Sequence, residues 1–378
     1  MKELDLMQIR DQLDVIDGKI IEMFEDRMEL CKQVAAFKVQ TGKPVFDSVR
    51  EQEKIHTVRQ AVEGHFNQQA VEELFSQIMT ISRRYQYQII NSQMTLPSPE
   101  FKQIDQLPLD HVKVVYQGIE GAYTHGAVLK YFGEDADAYH VKTWEAAMKA
   151  VEAGEADYAV LPIENSSAGA VTDNYDLLVK YHNYIVGETF LTVEHSLLGV
   201  EGAQLSDIKV VYSHPQALMQ CSEYLNEHTE WQQISVENTA IAAKKVLTEQ
   251  DRSQAAVASV WAGELYGLKS LACGINHNRN NTTRFIIVSR SPIYKMDANK
   301  ISICFELPHK SGSLYNMLGN FIYNGVNMIK IESRPILGKN WEYRFFVDLE
   351  GNLGDTAISN ALNSVKQEAS YMRILGNY

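Results

Sequence analysis

NNTTRFIIVSR, residues 280–290, sets a polar cluster against an apolar run. Phe285 to Val288 reads as a buried strand, with Asn280, Asn281, Thr282, Thr283 and Arg284 at its mouth. Open α/β sheets place their ligands at strand ends. The cluster offers no strong nucleophile, no metal-ligand set and no phosphate loop. Whatever it serves must need a hydroxyl and a cation rather than covalent attack.

Outward from this strand, apolar runs alternate with helical stretches: HVKVVYQG, DYAVLPIEN, YIVGETFLTV, IKVVYSHP and AAVAS precede TRFIIVSR. That alternation predicts an α/β block over 111–292. Beyond it, ISICFELP, SLYNMLGNFIYNG, VNMIKIES, YRFFVDLEG, DTAISNALNSVKQEA and YMRILGN give the order βαββαβ, a ferredoxin-like α+β module over 299–378. On the other side, SQMTLPSPEFKQIDQLPLD has three prolines and no amphipathic period, so 92–110 reads as a linker. Residues 1–91 read as all-α, broken only at TGKP, 41–44.

Composition narrows the function. The chain has 378 residues, more than one core usually holds. A net charge of -13 argues against nucleic-acid or membrane-surface binding. Cys31, Cys221, Cys273 and Cys304 are scattered without a CxxC pair, which suits a reducing cytoplasm and no metal site. The charged N-terminal stretch predicts no signal peptide, and no apolar run has membrane-spanning length.

In the helical block, Leu6, Ile9, Leu13, Ile16, Ile20, Met23, Leu30, Val34 and Phe37 form a heptad seam, with Arg27 in one slot. The bland reading is a snorkelling arginine. Lys38, eleven residues on, falls within ~20° of the same face and ~16 Å along the axis, so the two could grip a small dianion. Arg10 lies ~25 Å from Arg27, too far to share that ligand within one helix. It can contribute only from a second chain, as in an antiparallel dimer. Ser48 and Glu51 have capping-box spacing, and Asp47 can also cap. Ser82 and Gln86 share a face at i, i+4.

The set Arg10, Arg27, Lys38, Asp47, Arg50, Glu51, Ser82 and Gln86 resembles the site of the all-helical chorismate mutases. GIEGAYTHGA, ADYAVLPIENSSAGAV, VYSHPQAL and NNTTRFIIV resemble prephenate dehydratase, and GSLYNML with IESRPILG resembles an ACT regulatory domain. Together they cover nearly the whole chain in the order of the bifunctional chorismate mutase–prephenate dehydratases. The resemblance implies two reactions of phenylalanine biosynthesis on one chain, with phenylalanine as feedback inhibitor and no cofactor.

For the rearrangement, it implies that Arg10 from the partner chain, Arg27 and Arg50 hold carboxylates. Lys38 and Gln86 would donate to the ether oxygen, Glu51 and Asp47 would bind the ring hydroxyl, and Ser82 would help position the substrate. For the dehydration it implies Thr283 as donor to the departing hydroxyl, with Arg284 as anchor of the dianion. Asn165, Ser166, Ser213, His214, Gln216 and Phe285 would line the site. The proton relay stays open between Glu164 and His214. Plainer uses exist for several of these: Glu164 to Ser166 could end a strand and cap a helix, and Ser213-His214 could be a turn before Pro215. For phenylalanine it implies Gly312, Ser313 and Leu314 with Glu332, Ser333, Arg334 and Pro335, although Ser313 and Tyr315 depart from the family's usual Gly-Ala-Leu-Val. A rival reading is a small-molecule receptor, since two-lobed α/β clefts also occur there. A receptor needs no helical block with a basic seam.

Overall fold

The computed structural model of the chain describes residues 5–93 and 101–378. Three helices come first: α1 (Leu6–Thr41), α2 (Ser48–Gln60) and α3 (His65–Gln93). Asp5 caps α1 through its carboxylate, and Gly42 ends it in the left-handed conformation, φ 69°. Asp47, not Ser48, is the N-cap of α2, accepting from Arg50 N at 3.1 Å. A second break separates α2 from α3 at 61–64, where Gly64 has φ 85°. The sequence reading had only one break, because the apolar spacing carries on through AVEG. α3 packs on both other helices. The apolar residues of the α1 heptad seam, however, are not covered by α3: Leu13, Ile16, Ile20 and Met23 are 51–72% exposed.

Residues 94–100 of the expected linker lie outside the described residues. Further on, Lys102–Ile104 forms a strand parallel to Ile293–Lys295, a short pairing that no long apolar period announces.

Two sheets follow. The smaller, of five strands, runs in the order Lys269–Ala272, Ser196–Gly199, Gln254–Ala258, Val210–Ser213, Gln232–Ser235 and forms one lobe. The larger has ten strands. Five of its strands make the other lobe: Tyr158–Asn165, Tyr184–Thr192, Thr282–Ser289, Lys113–Gln117 and Asp137–Val141. The short strand Gly169–Ala170 pairs beside Tyr158–Asn165. The chain crosses between the lobes twice, at 193–195 and 275–281.

The same large sheet continues into the C-terminal module. Its elements run βαββαβ: Lys300–Glu306, Ser313–Ile322, Met328–Pro335, Tyr343–Glu350, Thr356–Glu368 and Tyr371–Asn377. The junction is the parallel pair Gly376 and Ile185. A Cβ at Gly376 would meet the Ile185 carbonyl oxygen at 2.0 Å, so only glycine allows this approach. Helix Thr356–Glu368 also packs against α3.

Candidate active sites

The helical site is held by side chains from three helices. Arg27 on α1 donates to the Ser82 hydroxyl on α3. Lys38 Nζ donates to Gln86 Oε1 at 3.1 Å and to the Val45 carbonyl at 2.7 Å. With its oxygen engaged, the Gln86 amide keeps Nε2 as a donor. Burial lowers the Lys38 pKa, while Asp47 and Glu51 pull it back up. Glu51 on α2 is engaged by Arg83 of α3. Six of the eight expected residues therefore meet: Arg27, Lys38, Asp47, Glu51, Ser82 and Gln86. Arg10 and Arg50 are exposed, with Arg10 near the far end of α1. Arg83 was not read from the sequence, since a buried arginine beside Ser82 has no local pattern that marks it.

The second site is a cavity of about 550 Å3 between the two lobes. Thr283 and Phe285 line it from one crossing strand, and Asn165, His214 and Gln216 join them. Asn165 is fixed on both ends. Its Oδ1 accepts from Ser167 N and Ala168 N at 3.0 and 2.9 Å. Its Nδ2 donates to Thr283 Oγ1 at 2.9 Å and to Asn281 Oδ1 at 2.8 Å. The Thr283 oxygen is thus an acceptor toward Asn165, which leaves its proton for a ligand. His214 Nδ1 accepts from Gln216 N at 3.2 Å, leaving Nε2 as donor. Burial lowers the His214 pKa, so it enters the cavity neutral.

Four expected residues are not among those lining the cavity. Arg284 follows Thr283 in the strand and so faces the other side of the sheet. There it is 2.7 Å from both Glu188 and Asp348 and donates to the Tyr378 hydroxyl at 2.8 Å. Burial works against its charge, but Tyr378, Asp348 and Glu188 outweigh it and hold the guanidinium protonated. The anchoring role expected for Arg284 does not match this place. Glu164, paired with Arg284 across the strands, turns with it and lies 2.8 Å from Lys330. Ser166 accepts from Thr282 N and donates to the Asn280 carbonyl, which holds the polar loop together. Ser213 is buried on the Val257 carbonyl at 2.6 Å.

Among the described residues, none of those lining the cavity is a lysine or arginine. Instead, the first residues of three helices do so: Tyr123–Phe132, Thr172–Lys180 and Thr239–Glu249. Free N–H groups and the helix dipole favour an anion at such ends. His195, also missed in the sequence, lines the cavity between Tyr123 and Gln220, at 3.1 Å from each. Burial lowers its pKa to about 4, against the Gln220 hydrogen bond. No sequence signal marks it, because it sits in a lobe crossing rather than in a motif.

In the C-terminal module Gly312 caps helix Ser313–Ile322 at φ 79°. Ser313 starts that helix, and Leu314 packs on the module's core. Glu332, Ser333, Arg334 and Pro335 close the edge strand, with Arg334 paired to Asp176 at 2.6 Å. Arg334 and Pro335 line a cavity of about 890 Å3, whose lining does not include Gly312, Ser313 or Leu314.

Comparison with known proteins joins the two sites. The family model for prephenate dehydratase matches residues 114–293, and that for type II chorismate mutase matches residues 9–87. A bifunctional chorismate mutase/prephenate dehydratase of Escherichia coli (strain K12) is 31% identical over 386 residues, spanning 100% of this chain and 96% of its own. An arogenate dehydratase/prephenate dehydratase 1, chloroplastic, of Arabidopsis thaliana is 41% identical over 283 residues, 71% of this chain and 72% of its own. A prephenate dehydratase from Arthrobacter aurescens, solved in complex with L-Phe, matches with a TM-score of 0.66 at 32% identity, covering 71% of this chain and 89% of its own. A helical site and an inter-lobe cavity on one polypeptide, each under its own family model, place this chain in the family of bifunctional chorismate mutase/prephenate dehydratases, an isomerase and a lyase of phenylalanine biosynthesis.

Proposed function

We propose that the helical site, over residues 1–91, rearranges chorismate to prephenate, and that the cavity, within 111–292, converts prephenate to phenylpyruvate. The first reaction is a pericyclic Claisen rearrangement and needs no nucleophile. Arg27 and Arg50 hold carboxylates, Lys38 and the Gln86 Nε2 donate to the ether oxygen as it gains charge, and Glu51 accepts from the ring hydroxyl. Asp47 supports the entry of α2, and Ser82 fixes Arg27. Arg10 completes the site from a second chain. The exposed apolar seam of α1 supports that dimer, since such a stripe is normally covered.

In the second reaction decarboxylation and loss of the hydroxyl create an aromatic ring. Thr283, held by Asn165, donates to the departing oxygen. The helix ends at the cavity receive the substrate's carboxylates in the place expected of Arg284. His214 is the cavity's candidate for relaying the proton. The single observation carrying this reading is the Asn165–Thr283 hydrogen bond inside the cavity.

The C-terminal module reads as a ferredoxin-like ACT domain that binds phenylalanine and lowers the activity. Its exposed edge strand, with Ile329 and Ile331 open to solvent, supports assembly of the site between two modules. The four cysteines, all free, suit a reducing cytoplasm, and the assembly is read as a homodimer or larger oligomer. Incubating the purified chain with chorismate tests the pair of activities: phenylpyruvate is the expected product. Prephenate alone would leave only the mutase, and no turnover would favour a receptor. Calorimetry with phenylalanine tests the module, and an absence of binding heat would reduce it to an assembly unit.

A further inference from the structure

Arg83 lies between two carboxylates from opposite ends of the chain. Its Nη1 donates to Glu51 of α2. Its Nη2 donates to Thr80 Oγ1 at 3.0 Å. Its Nε is 3.3 Å from Glu368 Oε1, an ion pair without the alignment of a hydrogen bond. Glu368 ends helix Thr356–Glu368 of the C-terminal module, and its other oxygen accepts from Asn320 Nδ2 at 3.2 Å. Gln367 Oε1 accepts from the Tyr87 hydroxyl of α3 at 2.7 Å. Side-chain exposure is 9% for Arg83, 12% for Glu368 and 24% for Glu51, so little water screens the group.

The geometry points to a positioning role: we infer that Arg83 orients Glu51 for chorismate, and that Glu368 of the C-terminal module sets how tightly Arg83 holds it. This deepens the mutase reading and rests on Glu51 being a substrate contact. A guanidinium shared between two carboxylates neutralises neither fully. While Glu368 draws on Arg83, Glu51 keeps the capacity to accept from a ligand hydroxyl. Without Glu368, Arg83 closes on Glu51 alone and competes with that hydroxyl. Without Arg83, Glu51 loses its orientation, and Glu368 can no longer reach the site. Nothing else is required for the last helix of the chain to affect a reaction in the first three.

The test uses the full chain and measures chorismate and prephenate turnover separately. Glu368→Gln keeps the shape and the Asn320 contact. It should raise KM for chorismate about tenfold, with a smaller change in kcat and prephenate turnover unaltered, as for a misplaced binding group. Arg83→Met should lower kcat/KM for chorismate by about 10- to 100-fold. The double variant should be no worse than Arg83→Met, because the glutamate acts through the arginine. An unchanged KM in Glu368→Gln overturns the inference, as do additive losses in the double variant. So does a parallel fall in prephenate turnover, which would make the contact purely structural. If the unsubstituted chain turns over no chorismate, the mutase reading falls and this inference with it. An active parent with an unaffected Glu368→Gln removes the inference alone.

Discussion

The helical site gathers cations, whereas the cavity between the lobes has no lysine or arginine in its lining. Both are read as binding dicarboxylates, so the difference lies in what each reaction asks of the charge. A rearrangement within one molecule gains from fixed cations where negative charge grows, and straight helices hold such cations rigidly. An elimination gains from a donor at the departing oxygen and from closure against water, which two lobes can supply. The two sites also differ in completeness. The cavity draws its lining from one chain, while the helical site lacks Arg10, which lies at the far end of an uncovered α1.

Completeness gives the sharpest way to break the comparison. Arg10→Ala and Arg27→Ala should each lower chorismate turnover by about 10³-fold, as for loss of a transition-state contact, with prephenate turnover intact. Mixing the two proteins should restore part of the activity through one repaired site per heterodimer. If subunit exchange is demonstrated and activity stays absent, the shared site is refuted.

Arg284 tests the contrast in charge. Arg284→Met takes the guanidinium from Glu188 and Asp348, leaving them only Lys300 and Ser302 as partners, and should cost about 3 kcal/mol of stability, read as a shift in the denaturation midpoint. KM for prephenate should stay close to that of the parent when measured below that midpoint. A large rise in KM at unchanged stability would restore Arg284 as the anchor.

Thr283→Ala should lower prephenate turnover by about 10²-fold and leave chorismate turnover unchanged. Equal losses in both reactions would mean that the two sites are not independent.

The smallest effect concerns His195. Its folded pKa is about 4, against 6.5 for the free group. As pH falls from 6.5, the unfolded chain takes up a proton that the folded chain refuses. Stability therefore drops through this window and levels off below pH 4. Between pH 6.5 and about pH 5.5 the loss should be about 1 kcal/mol. His195→Gln should lack this component, and equal pH profiles for the two proteins would show that the histidine titrates in the fold as it does in the unfolded chain.

The helical site was legible in part, because its residues recur at helical spacings, although the break between α2 and α3 did not show in those spacings. Period put Arg27 and Lys38 on one face of α1, whereas Ser82 and Gln86, an i, i+4 pair, were tied to the site by the resemblance to the all-helical chorismate mutases. The cavity was legible in its motifs and misread in its directions. Thr283 and Arg284 are neighbours in sequence and look like one functional pair. In a strand, neighbours face opposite sides, so one side chain enters the cavity and the other leaves it. The same period turns Glu164 away from Asn165. That alternation was available in TTRF and PIEN. Arg83, Glu368 and His195 were not available at all, since each is defined by contacts between segments far apart in the chain.

The junction at Gly376 and Ile185 has a consequence for cooperativity. A sheet that continues from one lobe into the C-terminal module, backed by the Arg284 cluster, ties those two regions into one opening unit. The five-stranded lobe hangs from it by two crossings. Amide protons of Tyr371–Asn377 and Thr282–Ser289 should therefore exchange with a common opening free energy, while those of Val210–Ser213 and Gln254–Ala258 follow their own. The boundaries of independent melting then fall inside the dehydratase portion of the chain, and a substitution in the C-terminal module will be felt by the strand that carries Thr283.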